Sequence, residues 1–195
     1  MSSHIGPIAL LGTSADPPTC GHEALLEGLL TLFPHVATWA SDNPKKQHRE
    51  SLETRHNLLK TLVNAIDDPH LELVQELSSP WSIMTLNKAN KKWPNAEFIF
   101  VIGSDLAQEV PSWSNVQNLL KKAHLGIAPR EGWPINIKDL DELESLGGKI
   151  YLLPLEIPST SSSSIHVNPA VAQIPSSILP ILKQQNLYGL SINCQ

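Results

Sequence analysis

The chain has 195 residues, 41% hydrophobic and 17% charged, with a net charge of -5 and a pI near 5.9. That length suits one domain with a core that needs no covalent staples. The acidic balance argues against general binding to nucleic acid or to an anionic membrane, yet leaves room for a local cationic pocket.

Two cysteines, Cys20 and Cys194, make no disulfide framework. The N-terminus lacks the basic region of a signal peptide, and no window approaches the ~20 apolar residues of a membrane helix. A soluble, reducing, cytoplasmic setting is expected.

Residues 8–11 read as a buried strand, and Leu25, Leu26, Leu29, Leu30 and Phe33 predict a helix over 23–33. Residues 35–41 read as a second strand. Residues 52–66 form an amphipathic pattern with Leu58, Leu59, Leu62, Val63 and Ile66 in one stripe. Residues 70–75 alternate like a strand, and 81–93 return to a helix. The strongest strand signal is 97–105, whose continuous apolar run fits a strand buried on both faces. A helix at 116–123, a strand at 124–129, a helix at 137–147, a strand at 149–155 and a helix at 176–185 complete the pattern. Strands alternating with helices predict a doubly wound α/β sheet, whose ligands sit beyond the carboxyl ends of its strands. That rule singles out the polar segments after Leu11, Ala40, Ile102 and Ala128.

The first of these, GTSADPPTCGH over 12–22, has an unusual composition. Gly12 permits close approach of a ligand, Pro17 and Pro18 stiffen the loop, and Gly21 leaves room before the helix. His22 falls in the first helical turn, where free N–H groups and the positive dipole end attract an anion. A plain loop with a Thr19 cap and a surface histidine is the simpler alternative. Neither the dinucleotide-binding glycine pattern nor the Walker A pattern is present.

The stretch resembles the His/Thr-x-Gly-His signature of the nucleotidyltransferase superfamily, with Thr19, Cys20, Gly21 and His22 in the threonine form. More narrowly, it resembles the opening Gly-Gly-x-Phe-Asp-Pro-x-His-x-Gly-His of the bacterial nicotinate-nucleotide adenylyltransferases. Gly12, Asp16, Pro17, Gly21 and His22 match; Leu11, Ala15 and Thr19 depart. Later segments follow the same family in order. A loop and helix carry Lys46 and Arg55, WSIMTL carries Thr85 and Leu86, VIGSDLAQEVPSW carries Gly103, Asp105 and Trp113, and APREG carries Arg130. The family's closing Ser-Ser-Thr-x-x-Arg aligns with Ser161, Ser162, Ser163, Ser164, Ile165 and His166, so histidine stands where arginine is usual. Histidine is only partly charged near neutral pH. Either the triphosphate is held more weakly, or a lysine substitutes, or another register applies.

The resemblance implies a Rossmann-like nucleotidyltransferase fold with a mostly parallel central sheet. It spans one domain over 1–195, in which a helical part at about 160–190 completes the ATP site. It implies transfer of AMP from ATP to nicotinate mononucleotide, giving nicotinate adenine dinucleotide and pyrophosphate in NAD biosynthesis. His22, Thr19 and Lys46 would act on the reacting phosphates. Gly12, Thr13, Ser161, Ser162, Ser163 and His166 would join His22 in holding ATP. Thr85, Asp105, Trp113 and Arg130 would hold the acceptor, with Trp113 stacked on the pyridine ring and Arg55 either in the site or supporting the fold. Magnesium would be bound mainly through the ATP phosphates, with no protein metal cage. The electropositive start of the helix makes Cys20 a candidate reactive thiol, although the signature allows any residue there. A homo-oligomer is compatible with the sequence. Two other readings stand beside this one: a CTP- or phosphopantetheine-type nucleotidyltransferase, and a non-catalytic nucleotide-binding relative.

Overall fold

The computed structural model describes residues 6–191; Cys194 lies outside them. Six strands form one sheet in the order β3-β2-β1-β4-β5-β6, every pairing parallel. They are β1 (Ile8–Thr13), β2 (His35–Ala40), β3 (Leu71–Leu73), β4 (Phe98–Gly103), β5 (His124–Ala128) and β6 (Ile150–Leu152). The helices between and after them are α1 (Cys20–Leu32), α2 (Leu52–Ile66), α3 (Ser82–Lys92), α4 (Val116–Lys122), α5 (Ile137–Ser145), α6 (Ser162–Val167) and α7 (Leu179–Gln184). This is the doubly wound, Rossmann-like order expected from the sequence.

Side-chain alternation along β1 explains the layering. Ala9 and Leu11 face one core shared with Leu26 and Leu29 of α1, Leu58, Leu59 and Leu62 of α2, and the C-terminal Ile165, Ile178 and Leu182. Ile8 and Leu10 face the other, with Leu86 of α3, Leu119 of α4 and Leu143 of α5. In β4, Ile99 and Val101 join the first core, while Phe98, Phe100 and Ile102 join the second. A period of two on a sheet covered on both sides makes every position apolar, which is why 98–102 reads as one unbroken run.

β1 pairs with β4 only from Ile8–Phe98 to Leu10–Phe100, although both strands run on for three residues more. The order of the sheet reverses at this pair, so a crevice opens between their carboxyl ends, the usual ligand position in such sheets.

Four expectations differ in detail. β3 keeps only three residues, because the chain turns into a short 3₁₀ segment at Gln75–Leu77. β4 stops at Gly103, and Ser104–Ser112 coils as 3₁₀ turns, with Asp105 at their start. β6 is shorter than the strand expected over 149–155, keeping only Ile150–Leu152 at the sheet edge, with Tyr151 and Leu152 exposed. The final helix shortens to Leu179–Gln184, with Pro180 near its N-terminus. Among the described residues, no helix is long and apolar enough to cross a membrane.

Candidate active site

The loop after β1 is held in place by buried polar groups. Asp16 is 2% exposed, and its carboxylate accepts from the backbone N–H of Arg49 (2.7 Å) and Glu50 (3.2 Å) and from the Tyr188 hydroxyl (2.6 Å). Burial, reinforced by that carboxylate, raises the Tyr188 pKa and keeps the phenol a donor. Arg55, buried in α2, donates to the carbonyls of Ser14 (2.7 Å), Ser41 (2.8 Å) and Glu50 (3.3 Å). It therefore ties the ends of β1 and β2 together and supports the fold, the second of its two expected roles.

Gly12 stays within β1, paired with Trp39 of β2. A Cβ there would lie 2.7 Å from the Trp39 indole, so the close approach that demands glycine is made by this ring. Thr13 Oγ1 accepts from the Ala15 N–H at 3.3 Å and shapes the turn that follows.

Thr19 is the N-cap of α1 and is fully buried. Its backbone N–H donates to Nδ1 of His22 at 3.0 Å, and its hydroxyl lies 2.9 Å from the same nitrogen. A backbone amide can only donate, so Nδ1 is an acceptor and the imidazole proton belongs on Nε2. Nε2 has no hydrogen-bond partner among the described residues, so its N–H is available to a ligand. Burial lowers the His22 pKa to about 4, and the charges of Arg130 and Lys46 push it the same way. His22 is thus a neutral donor at neutral pH. The two cations that keep the proton away also supply the positive potential that a triphosphate needs.

Arg130, just beyond β5, pairs with Asp105 at 2.7 Å, and its N–H donates to Ser104 Oγ at 3.0 Å. Lys46 stands exposed on the loop before α2. The structure therefore brings His22, Thr19, Lys46, Arg130 and Asp105 to one end of the sheet. Trp113 is half-buried and meets Phe100 edge to face, with centroids 6.1 Å apart. A cavity of about 410 Å³ lies beside Asp105, lined also by Ser104, Gln108, Trp133 and Asn136. Thr85 is 2% exposed, and its N–H is committed to the Trp81 carbonyl at 3.2 Å. The amides that α3 leaves outside its own ladder are those of Ser82 and Ile83.

The serine run does start a helix. Ser161 caps α6 by accepting from the Ser164 N–H at 3.1 Å, Ser162 donates to the Pro17 carbonyl at 2.8 Å, and Ser163 is exposed. His166 is placed differently from an arginine reaching for phosphate. Its Nε2 donates to the Asp16 carbonyl at 2.6 Å, and its ring stacks on Tyr188 at 5.6 Å and 10°. The imidazole is short, so it closes onto the loop it would otherwise reach past. Cys20 departs too: burial and Glu23 raise its thiol pKa, so the thiolate is disfavoured rather than activated.

Three residues escaped the sequence reading. Tyr188 needed a partner 172 positions away to acquire meaning. Thr160 sits one residue before the aligned serines and meets both Thr19 and Gly21. Arg49 is exposed, with Nη1 3.4 Å from the His166 carbonyl and its guanidinium 6.0 Å from the Tyr188 ring centroid. The signal for Arg49 was in plain view: an arginine missing at 166 calls for another cation, and 45–49 carries three.

A family model described as cytidylyltransferase-like matches residues 10–168. A probable nicotinate-nucleotide adenylyltransferase of Synechocystis sp. is 36% identical over 93% of this chain and 98% of its own length. One of Bacillus pumilus is 25% identical over 93% and 97%. Among solved structures, the Plasmodium falciparum nicotinic acid mononucleotide adenylyltransferase complexed with NaAD shares the fold, with a TM-score of 0.76 at 22% identity. That likeness covers 96% of this chain and 100% of the other.

Proposed function

The chain belongs to the cytidylyltransferase-like family and, within it, to the nicotinate-nucleotide adenylyltransferases; we propose that it transfers AMP from ATP to nicotinate mononucleotide. The observation that carries this reading is His22, held by its Nδ1 to the Thr19 amide so that an Nε2–H donor stands ready at the start of α1. An oxygen of the acceptor's phosphate forms a bond to the α-phosphorus, the bond from that phosphorus to the α–β bridging oxygen breaks, and pyrophosphate leaves with the electron pair. The attacking phosphate is largely dianionic at pH 7, its second pKa being about 6, so no general base is required. Positioning and charge stabilisation do the rest. His22 donates to a non-bridging α-oxygen, and Lys46 and Arg130 offset the charge gathered there.

Magnesium enters with ATP as part of the substrate, held by phosphate oxygens and water. On the acceptor side, the first-turn amides of α3 near Thr85 receive the nicotinate carboxylate, Trp113 stacks on the ring, and the Asp105–Arg130 pair meets ribose and phosphate. The 160–190 segment completes the ATP site through the α6 serines, and the reaction draws on cytoplasmic ATP.

Incubation of the purified chain with magnesium, ATP and nicotinate mononucleotide should yield dinucleotide and pyrophosphate in equal amounts. Nicotinamide mononucleotide, phosphopantetheine and CTP, each tried in turn, set the specificity. Pyrophosphate release with CTP but none with ATP would reject the assignment.

Arg49 takes the place of the family's arginine as the exposed cation for the outer phosphates, since His166 is engaged with Asp16. Arg49→Ala should raise KM for ATP about tenfold, the worth of one charge-assisted hydrogen bond. It should leave KM for the acceptor unchanged, with Arg49→Lys between the two. Initial-rate kinetics with each substrate varied in turn check this, and an unaltered KM for ATP excludes the residue.

A further inference from the structure

Three hydroxyl and amide contacts join the C-terminal segment to the imidazole in series. The Gly21 N–H donates to Thr160 Oγ1 at 2.8 Å, and Thr160 Oγ1 donates in turn to Thr19 Oγ1 at 3.0 Å. Thr19 Oγ1 lies 2.9 Å from His22 Nδ1. A hydroxyl has one proton to give. The Gly21 amide fills an acceptor site on Thr160 and leaves the Thr160 proton for Thr19. With that contact made, the Thr19 proton is left for Nδ1. The donors therefore run in one direction, from the Gly21 amide to the imidazole.

The contacts are close-fitting. Thr19 is wholly buried, and a Cβ on Gly21 would lie 2.6 Å from Thr160 Oγ1 and 3.1 Å from the Pro158 carbonyl. The Thr160 N–H is itself bonded to Pro158 O at 2.7 Å, which fixes the residue that carries the hydroxyl. The Thr19 backbone amide alone would accept either of two Thr19 hydroxyl rotamers, one donating to Nδ1 and one turned away from it. Thr160 selects the first.

We propose that Thr160 is a positioning residue for His22: through Thr19 it directs a second proton donor at Nδ1, reinforcing the Nε2–H tautomer that the Thr19 amide sets and fixing the ring in place. The role in turnover rests on the adenylyl-transfer reading above, while the tautomer itself does not. The relay gives the hydroxyl at 19 a defined place between Thr160 and His22. The two threonines join segments 141 positions apart.

The test substitutes Thr160→Val, which keeps shape and removes the hydroxyl, and Thr160→Ser, which restores it. Nitrogen chemical shifts of the His22 ring, read by long-range proton–nitrogen correlation at pH 7, report the tautomer. The wild-type chain should show a protonated Nε2 and a bare Nδ1. Thr160→Val should shift the Nδ1 resonance as that nitrogen loses the second of its two donors, the Thr19 amide alone then holding the tautomer, and lower kcat about tenfold with both KM values held within twofold. Thr160→Ser should return both readouts toward wild type.

Unchanged ring nitrogens in Thr160→Val overturn the proposal, whatever happens to the rate. Altered nitrogens with an unchanged kcat overturn the role in turnover. If Thr160→Val does not fold, Thr19→Val breaks the next link and is held to the same nitrogen readout. A wild-type chain that makes no dinucleotide would remove the reaction assigned above, and the nitrogen spectra would still decide the relay.

Discussion

Replacing His22 with alanine should cut kcat by about 100- to 1000-fold, the usual loss when one preorganised donor to a transition-state oxygen is removed. The fold should persist, because the ring belongs to a cap at the start of α1 and lies outside both apolar cores. A single-turnover assay with circular dichroism on the same sample checks both halves. Full activity would remove His22 from the chemistry.

The same substitution has a signature in pH. In the unfolded chain a histidine titrates near 6.5, whereas burial and two nearby cations lower His22 to about 4 in the folded state. Between those values the unfolded chain binds more protons, so stability is complete above about pH 6.5 and declines as pH falls toward 4. The wild-type chain should lose up to about 3 kcal/mol over that window on account of His22. His22→Ala should lose that much less, and urea titrations of both chains at pH 7 and pH 4.5 measure the difference. Equal pH dependence in the two would show that the imidazole is not held neutral.

What the sequence disclosed and what it hid follow from the range of the interactions involved. Strands and helices depend on neighbours within a few positions, so the leucines of 23–33 and the apolar run of 97–105 announced their elements directly. The crevice was legible as well, since sheet topology alone puts ligands at the carboxyl ends of the strands. His22 was singled out because Thr19, Cys20, Gly21 and His22 together match a family signature, whereas a histidine in a first helical turn reads by itself just as well as a surface residue. Tyr188, Thr160 and the true direction of His166 were hidden because each is defined by contacts across more than 100 residues of chain. No periodicity encodes such contacts. The strand expected to reach residue 105 ended at Gly103, and Ser104–Ser112, for which the sequence offered no element, turned out as 3₁₀ turns. Its apolar residues Leu106, Ala107 and Val110 pack onto the second core, but Pro111 and the tight turns allow only 3₁₀ geometry.

The largest stability effect falls on a residue with no part in the chemistry. Arg55 is 1% exposed, and its guanidinium bonds the carbonyls of Ser14, Ser41 and Glu50 while lying near the charges of Asp16 and Asp42. Arg55→Ala leaves those carbonyls without their donor, takes a counter-charge from the buried Asp16, and opens a void beneath the loops on both sides of the crevice. Removing one partner from such a buried ionic network costs about 3–5 kcal/mol. For a domain of this size that corresponds to a Tm lower by about 10 °C. Arg55→Lys should recover part of the loss, because its ammonium restores the charge but cannot present the same planar fork to three separate carbonyls. Turnover in Arg55→Ala should fall even well below its Tm, since the end of β1, the end of β2 and the segment leading to Arg49 lose their common anchor. Thermal unfolding followed at two wavelengths, beside the rate at 15 °C, separates these effects. A Tm within 2 °C of wild type would mean that the three carbonyls find other donors and that Arg55 does not hold the loops.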